Sequence, residues 1–130
     1  MIALDTNVLA RLLLRDDEAQ YRRAVQLLGD GREYTAPPTV FLELAWVLSS
    51  TGVDRTDVVK ALKGLLGLVA FKPSHSTEIA AAIALHEAGL DFADALHLAL
   101  SDGSDALVTF DGRFAKRAER LGATPPVQMA

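Results

Sequence analysis

Four acids stand where a carboxylate is either a structural cap or a ligand. Asp5 directly follows the apolar run Ile2-Ala3-Leu4, and Asp111 directly follows Ala106-Leu107-Val108-Thr109-Phe110. Both runs read as strands, and in open α/β sheets the functional crevice lies beyond the carboxyl ends of the strands. Capping of the next turn or helix is the plain alternative for each acid. Glu43 lies between Val40-Phe41-Leu42 and Leu44-Ala45-Trp46-Val47-Leu48, a segment with so little polar surface that burial is expected. A buried carboxylate without a partner is costly or takes up a proton. No basic residue occurs between Arg32 and Arg55 to compensate it, which favours a cation shared with other acids. Asp94 repeats the pattern within Phe92-Ala93-Asp94-Ala95-Leu96-His97-Leu98-Ala99-Leu100.

Carboxylates gathered in one pocket repel one another and take up protons unless a divalent ion is present. The chain has no cysteine, so disulfides, thiolate nucleophiles, iron-sulfur clusters and thiolate zinc sites are excluded. All-oxygen ligation without a convincing histidine pair selects the hard ions Mg²⁺ or Mn²⁺, which keep waters and bind through few carboxylates plus substrate phosphate. That chemistry suits hydrolysis of a phosphodiester by a metal-activated water. Two further residues stand beside the four. Asp91, three positions before Asp94, is better read as a helix N-cap. His97, one turn after Asp94, is better read as hydrogen-bonded in or beside the core, with orientation of Asp94 as its functional alternative.

The elements that must position these acids follow from capping and periodicity. A strand at Ile2-Ala3-Leu4 leads into a helix over 8–14; Asp16-Asp17-Glu18 starts a second helix that ends near Leu27-Leu28 before Gly29. Tyr34-Thr35-Ala36 reads as a strand, Pro37-Pro38 opens a helix to about Ser49, and a fourth helix covers 54–66. A strand is expected over 68–72, helices over 77–88 and from Asp91 or Phe92 to Leu100, then the strand 106–110, a helix from Asp111-Gly112 through Leu121, and an edge strand at 127–129. Strands alternating with helices imply an α/β fold with a mostly parallel central sheet covered on both faces. At 130 residues with half its composition apolar, the chain suits a single domain over 1–130.

The N-terminus carries no basic leader and no apolar run approaches membrane-spanning length, so a soluble, cytoplasmic, non-membrane protein is expected. A net charge of −4 argues against a broad nucleic-acid surface. The charge is uneven, however. Arg113, Lys116, Arg117 and Arg120 crowd near the C-terminus, and Arg11 and Arg15 lie one helical turn apart, so a local basic rim is available; Arg11 and Arg113 are the second-rank candidates for phosphate contact. The single tryptophan, Trp46, falls on a helix that reads as buried, so no aromatic stacking face is expected.

In order along the chain, Asp5-Thr6-Asn7-Val8-Leu9, Glu43, Asp94-Ala95-Leu96-His97-Leu98-Ala99 and Thr109-Phe110-Asp111 resemble the four acidic motifs of PIN-domain ribonucleases, and length and order resemble the VapC-type toxins within that family. The resemblance implies a three-layer α/β/α sandwich and an Mg²⁺- or Mn²⁺-dependent endoribonuclease acting on RNA. It also implies a homodimer neutralised by a cognate antitoxin. Carried over residue by residue, Asp5, Glu43, Asp94 and Asp111 match the acidic positions, while Thr6, Asn7 and Thr109 match polar residues that support them; Asp91 has no counterpart. Other readings are a PIN-like RNA-processing nuclease without a toxin role, and a catalytically silent metal- or RNA-binding module. An aspartyl-phosphate phosphatase also places an acid after the first strand, but carries a second acid two positions on, where this chain has Asn7.

Overall fold

Aspartate caps set the helix boundaries. In the computed structural model, which describes all 130 residues, five helices start behind an aspartate whose carboxylate accepts a backbone N–H of the first turn. The capping residues are Asp5 for α1 (Thr6–Leu14), Asp17 for α2 (Glu18–Leu28), Asp54 for α4 (Arg55–Leu66), Asp91 for α6 (Phe92–Leu100) and Asp111 for α7 (Gly112–Arg120). The remaining two are α3 (Pro38–Ser50), which opens on a proline whose missing N–H is no loss at that position, and α5 (Ser76–Glu87). Four short strands complete the chain: β1 (Ile2–Ala3), β2 (Tyr34–Thr35), β3 (Leu107–Thr109) and β4 (Val127–Met129). The class is α/β with parallel pairing, as expected. The chain divides into two compact units, Met1–Ser76 and Thr77–Ala130, and its strand pairs fall one in each.

In the first unit β1 runs parallel to β2, Ile2 opposite Tyr34 and Ala3 opposite Thr35. The expected strand over 68–72 shrinks to a single bridge between Tyr34 and Phe71. The reason is local: Leu68 N–H turns back to the Leu65 carbonyl after α4, so only Ala70 and Lys72 reach the backbone of Tyr34. β1 is also less buried than its apolar composition suggested. Ile2 is 40 % exposed, and burial falls instead on Leu4, where the chain turns into α1. Around Tyr34, α1 packs on α2 and α3, and α3 on α4, enclosing Leu9, Phe41, Leu44, Leu62 and Phe71. The rings of Phe41 and Phe71 stack with centroids 6.2 Å apart.

α3 corrects two expectations. Its buried stripe is Val40, Phe41, Leu44, Ala45 and Leu48, one helical face. Glu43 and Trp46, three residues apart, share the opposite face and are exposed, Trp46 to 71 %. An apolar sequence around a carboxylate therefore did not bury it, because only one side of the helix meets a neighbour.

In the second unit α5 buries Ile79, Ala82, Ile83 and His86, and α6 buries Phe92, Ala95, Leu96, Leu98 and Ala99. β3 and β4 pair in parallel, Leu107 opposite Val127 and Thr109 opposite Met129. α7 lies against both strands, burying Phe114 and Ala118. The expected strand 106–110 contracts to its central three residues, and Val108 (63 % exposed) and Phe110 (88 %) face solvent rather than a core.

Candidate active site

In the first unit, Asp5 follows β1 by two residues and caps α1, its Oδ1 accepting the Thr6 N–H at 2.8 Å. The carboxylate is exposed and its other oxygen has no hydrogen bond to a neighbour. The Thr6 side chain is the reverse case: only 4 % exposed, its Oγ1 has no hydrogen-bond partner. A buried hydroxyl without a partner is a costly arrangement, and such a group at a chemical site calls for a ligand. Asn7 is exposed and lines a cleft of about 600 Å³ between α1 and α2, together with Val8, Arg11, Gln20 and Arg23. Glu43 presents its carboxylate to solvent on α3 without an ion-pair partner.

The second unit gathers three acids. Asp91 caps α6, accepting the Asp94 N–H at 3.3 Å, which is the capping role its position suggested. Asp94 itself is half-buried in the first turn of α6. Burial raises its carboxyl above the ordinary carboxylate range, and the negative charges of Asp91 and then Asp111 raise it further; His97 opposes them. Sequence-distant Asp111 is thus electrostatically coupled to Asp94. Asp111 caps α7, its Oδ1 accepting the N–H groups of Arg113 at 3.0 Å and Phe114 at 3.2 Å. Its own N–H donates to Thr109 Oγ1 at 3.0 Å, so the Thr109 hydroxyl braces the turn that presents the acid.

His97 is exposed, against the expectation of a core histidine. The buried histidine is His86, 8 % exposed, whose Nδ1 hydrogen-bonds the Leu90 carbonyl at 2.7 Å and whose ring meets Phe92 edge-on. A core role thus falls to a histidine whose apolar, Ala-rich context in α5 gave no functional signal. The basic residues also divide. Arg11 is bound by Asp16 at 2.8 Å and by Gln20 at 2.6 Å, and Arg15, beyond the end of α1, pairs with Glu18 at 2.9 Å. Both are neutralised. Arg113, Lys116, Arg117 and Arg120 are exposed and form no ion pair.

The donors present suit a hard cation. In each unit they are carboxylate and hydroxyl oxygens: in the first the Thr6 hydroxyl beside Asp5 in sequence lacks a partner, and in the second Asp94 carries repulsion that a positive charge would relieve. No three His, Asp or Glu side chains are arranged to hold one ion by themselves. No helix is long and apolar enough to cross a membrane. The PIN-domain family model matches residues 2–120, taking in all four candidate acids. No curated protein and no solved structure matches the chain closely enough to add a relative.

Proposed function

Because the chain belongs to the PIN-domain family, α/β proteins that are generally nucleases acting on RNA with divalent metal ions, we propose that it is an Mg²⁺- or Mn²⁺-dependent endoribonuclease of the VapC toxin type. The observation that carries the reading is the state of Asp94. This half-buried carboxyl in the first turn of α6, raised by burial and then by the charges of Asp91 and Asp111, is one that a divalent cation would relieve. In this reading Asp5, Glu43, Asp94 and Asp111 are the carboxylates that hold the cation, and chain 1–130 works as one domain. The chemistry supplied by such a cation is neutralisation of phosphate charge and acidification of the attacking water.

The chain's own residues prepare the site. Asp5 and Asp111 are each pinned by the first N–H groups of a helix, so one carboxylate oxygen is oriented and the other is left for a ligand. Thr109 Oγ1 holds the backbone of Asp111, the buried Thr6 hydroxyl without a partner is next to Asp5 in sequence, and the Asn7 amide follows. The Asp94 carboxyl would hold a proton more readily than an ordinary aspartate and release it as positive charge arrives. Asp91 and His97 modulate that proton without being assigned as ligands.

The toxin role, a cognate antitoxin, a homodimer and a cytoplasmic location belong to the same proposal and rest on the order of the four acidic motifs; a PIN-like RNA-processing nuclease without a toxin role is the alternative. The test is cleavage of RNA by purified protein with Mn²⁺ or Mg²⁺ and with chelator. Asp5→Asn keeps the α1 cap, because asparagine caps as well as aspartate. It should therefore abolish cleavage in a folded protein, and retained metal-dependent activity in that variant would refute the assignment. RNA binding without cleavage by the wild type would leave a silent binding module.

A further inference from the structure

α7 concentrates positive charge in a chain that is acidic overall. Its nine residues hold four cations against the single acid Glu119, while the whole chain carries −4. Arg113, Lys116, Arg117 and Arg120 follow the i, i+3, i+4, i+7 spacing of one helical face, a stripe about 10 Å long at helical rise. The opposite face is anchored by Phe114 and Ala118 against β3 and β4, so the stripe cannot turn inward. All four are exposed and none is satisfied by an acid, whereas Arg11, Arg15, Arg32 and Lys72 of the first unit are each ion-paired. Attraction of Arg117 and Arg120 to the carbonyl end of the helix accounts for two of them, but not for Arg113 and Lys116 nearer its start.

At the head of this stripe stands Phe110, 88 % exposed and immediately before Asp111. A phenylalanine this open is an apolar surface without a partner in the chain. A row of exposed cations and an exposed aromatic ring three residues before the first of them supply the two parts of a single-stranded nucleic-acid surface: charge for successive phosphates and a flat face for an unstacked base.

We propose that Phe110 and the Arg113–Lys116–Arg117–Arg120 stripe of α7 form the track by which single-stranded RNA is delivered to Asp111. The proposal rests on the ribonuclease reading and extends it to a binding surface on this chain: one unpaired base stacks on Phe110 while the phosphates that follow run along α7. Duplex RNA offers phosphates but no free base face, so it should gain from the stripe and not from the ring.

The test is equilibrium binding of a fluorescein-labelled single-stranded RNA and of the same sequence as a duplex, to the full chain in chelator, where no cleavage intervenes. Phe110→Ala should weaken single-strand binding by roughly 5- to 150-fold, leave duplex binding nearly unchanged, and be rescued by Phe110→Trp. The combined Lys116→Gln, Arg117→Gln and Arg120→Gln variant should weaken both and lower the slope of log affinity against log salt by about 2. Circular dichroism and sedimentation on each variant exclude unfolding and report association. Unchanged affinity and salt slope in the triple variant, or equal losses for both RNAs in Phe110→Ala, would overturn the track. So would a change in self-association with RNA binding intact, which would assign the face to a second copy. Binding that follows these rules in a wild type that cuts no RNA would remove the ribonuclease reading and keep the track; cleavage without them would do the opposite.

Discussion

Thr109 Oγ1 accepts the backbone N–H of Asp111 at 3.0 Å, and the Asp111 carboxylate in turn accepts the N–H groups of Arg113 and Phe114. The end of β3, the turn and the start of α7 are therefore one hydrogen-bonded unit with an acid at its centre. On the proposed function, a structural and a chemical duty coincide in that acid, and substitutions can separate them. Asp111→Asn retains an N-cap, so its stability in urea should match the wild type while metal-dependent RNA cleavage falls. Asp111→Ala should lose both, with about 0.5–2 kcal/mol of stability. Thr109→Val should cost about 1 kcal/mol and Thr109→Ser much less. Equal cleavage by wild type and Asp111→Asn would make the acid a cap only.

Asp94 links pH and stability and, in the proposed function, cation binding. Its carboxyl is raised from the ordinary value of 3.8, first by burial and then by Asp91 and Asp111. A raised carboxyl stabilises the fold when protonated; that contribution is complete below the unfolded pKa and is lost as pH rises through the folded one. Ionising this group in the fold is therefore costlier than ionising it in the unfolded chain. Asp94→Asn should be more thermostable than the wild type at pH 7 without divalent cation, and the gain should vanish as pH falls below about 4. Added Mg²⁺ or Mn²⁺ should stabilise the wild type and not the variant. A variant less stable than wild type at pH 7 in chelator would contradict this account.

Asp30 runs the opposite way. The Arg32 guanidinium at 2.7 Å, then the Tyr34 hydroxyl at 2.5 Å, hold its carboxyl down to about 2. A depressed carboxyl adds stability that is present above the unfolded value of 3.8 and disappears as pH falls through the folded value of about 2. Asp30→Asn should be destabilised at pH 5 to 7 and should converge with the wild type near pH 2. Thermal melts across that range decide it; parallel melting curves would exclude the linkage.

Trp46 is the sole tryptophan and is 71 % exposed on the same face of α3 as Glu43. Its emission should be that of an indole in water and open to acrylamide quenching in dilute solution. A blue shift that grows with protein concentration would put this face in a contact between two copies of the chain. A shielded spectrum at every dilution would contradict the exposure of α3.

The order of elements and the positions of the acids were readable from the chain alone, because helix caps are local. Asp17, Asp54, Asp91 and Asp111 each bond an N–H two or three residues on, so residue type and spacing specify those helix starts without reference to the rest of the molecule. The acids at the ends of strands were legible for the same reason, as was the parallel α/β class. What the tertiary structure decided was everything that depends on neighbours distant in sequence. Glu43, Trp46 and Phe110 stand in apolar segments, yet each is exposed, because burial is set by which face another element covers. The run 68–72 is a different case: it lost its strand to a local turn, Leu68 N–H bonding back to the Leu65 carbonyl, and keeps one bridge to Tyr34. The coupling of Asp94 to Asp111 is a through-space charge interaction, which sequence spacing does not encode.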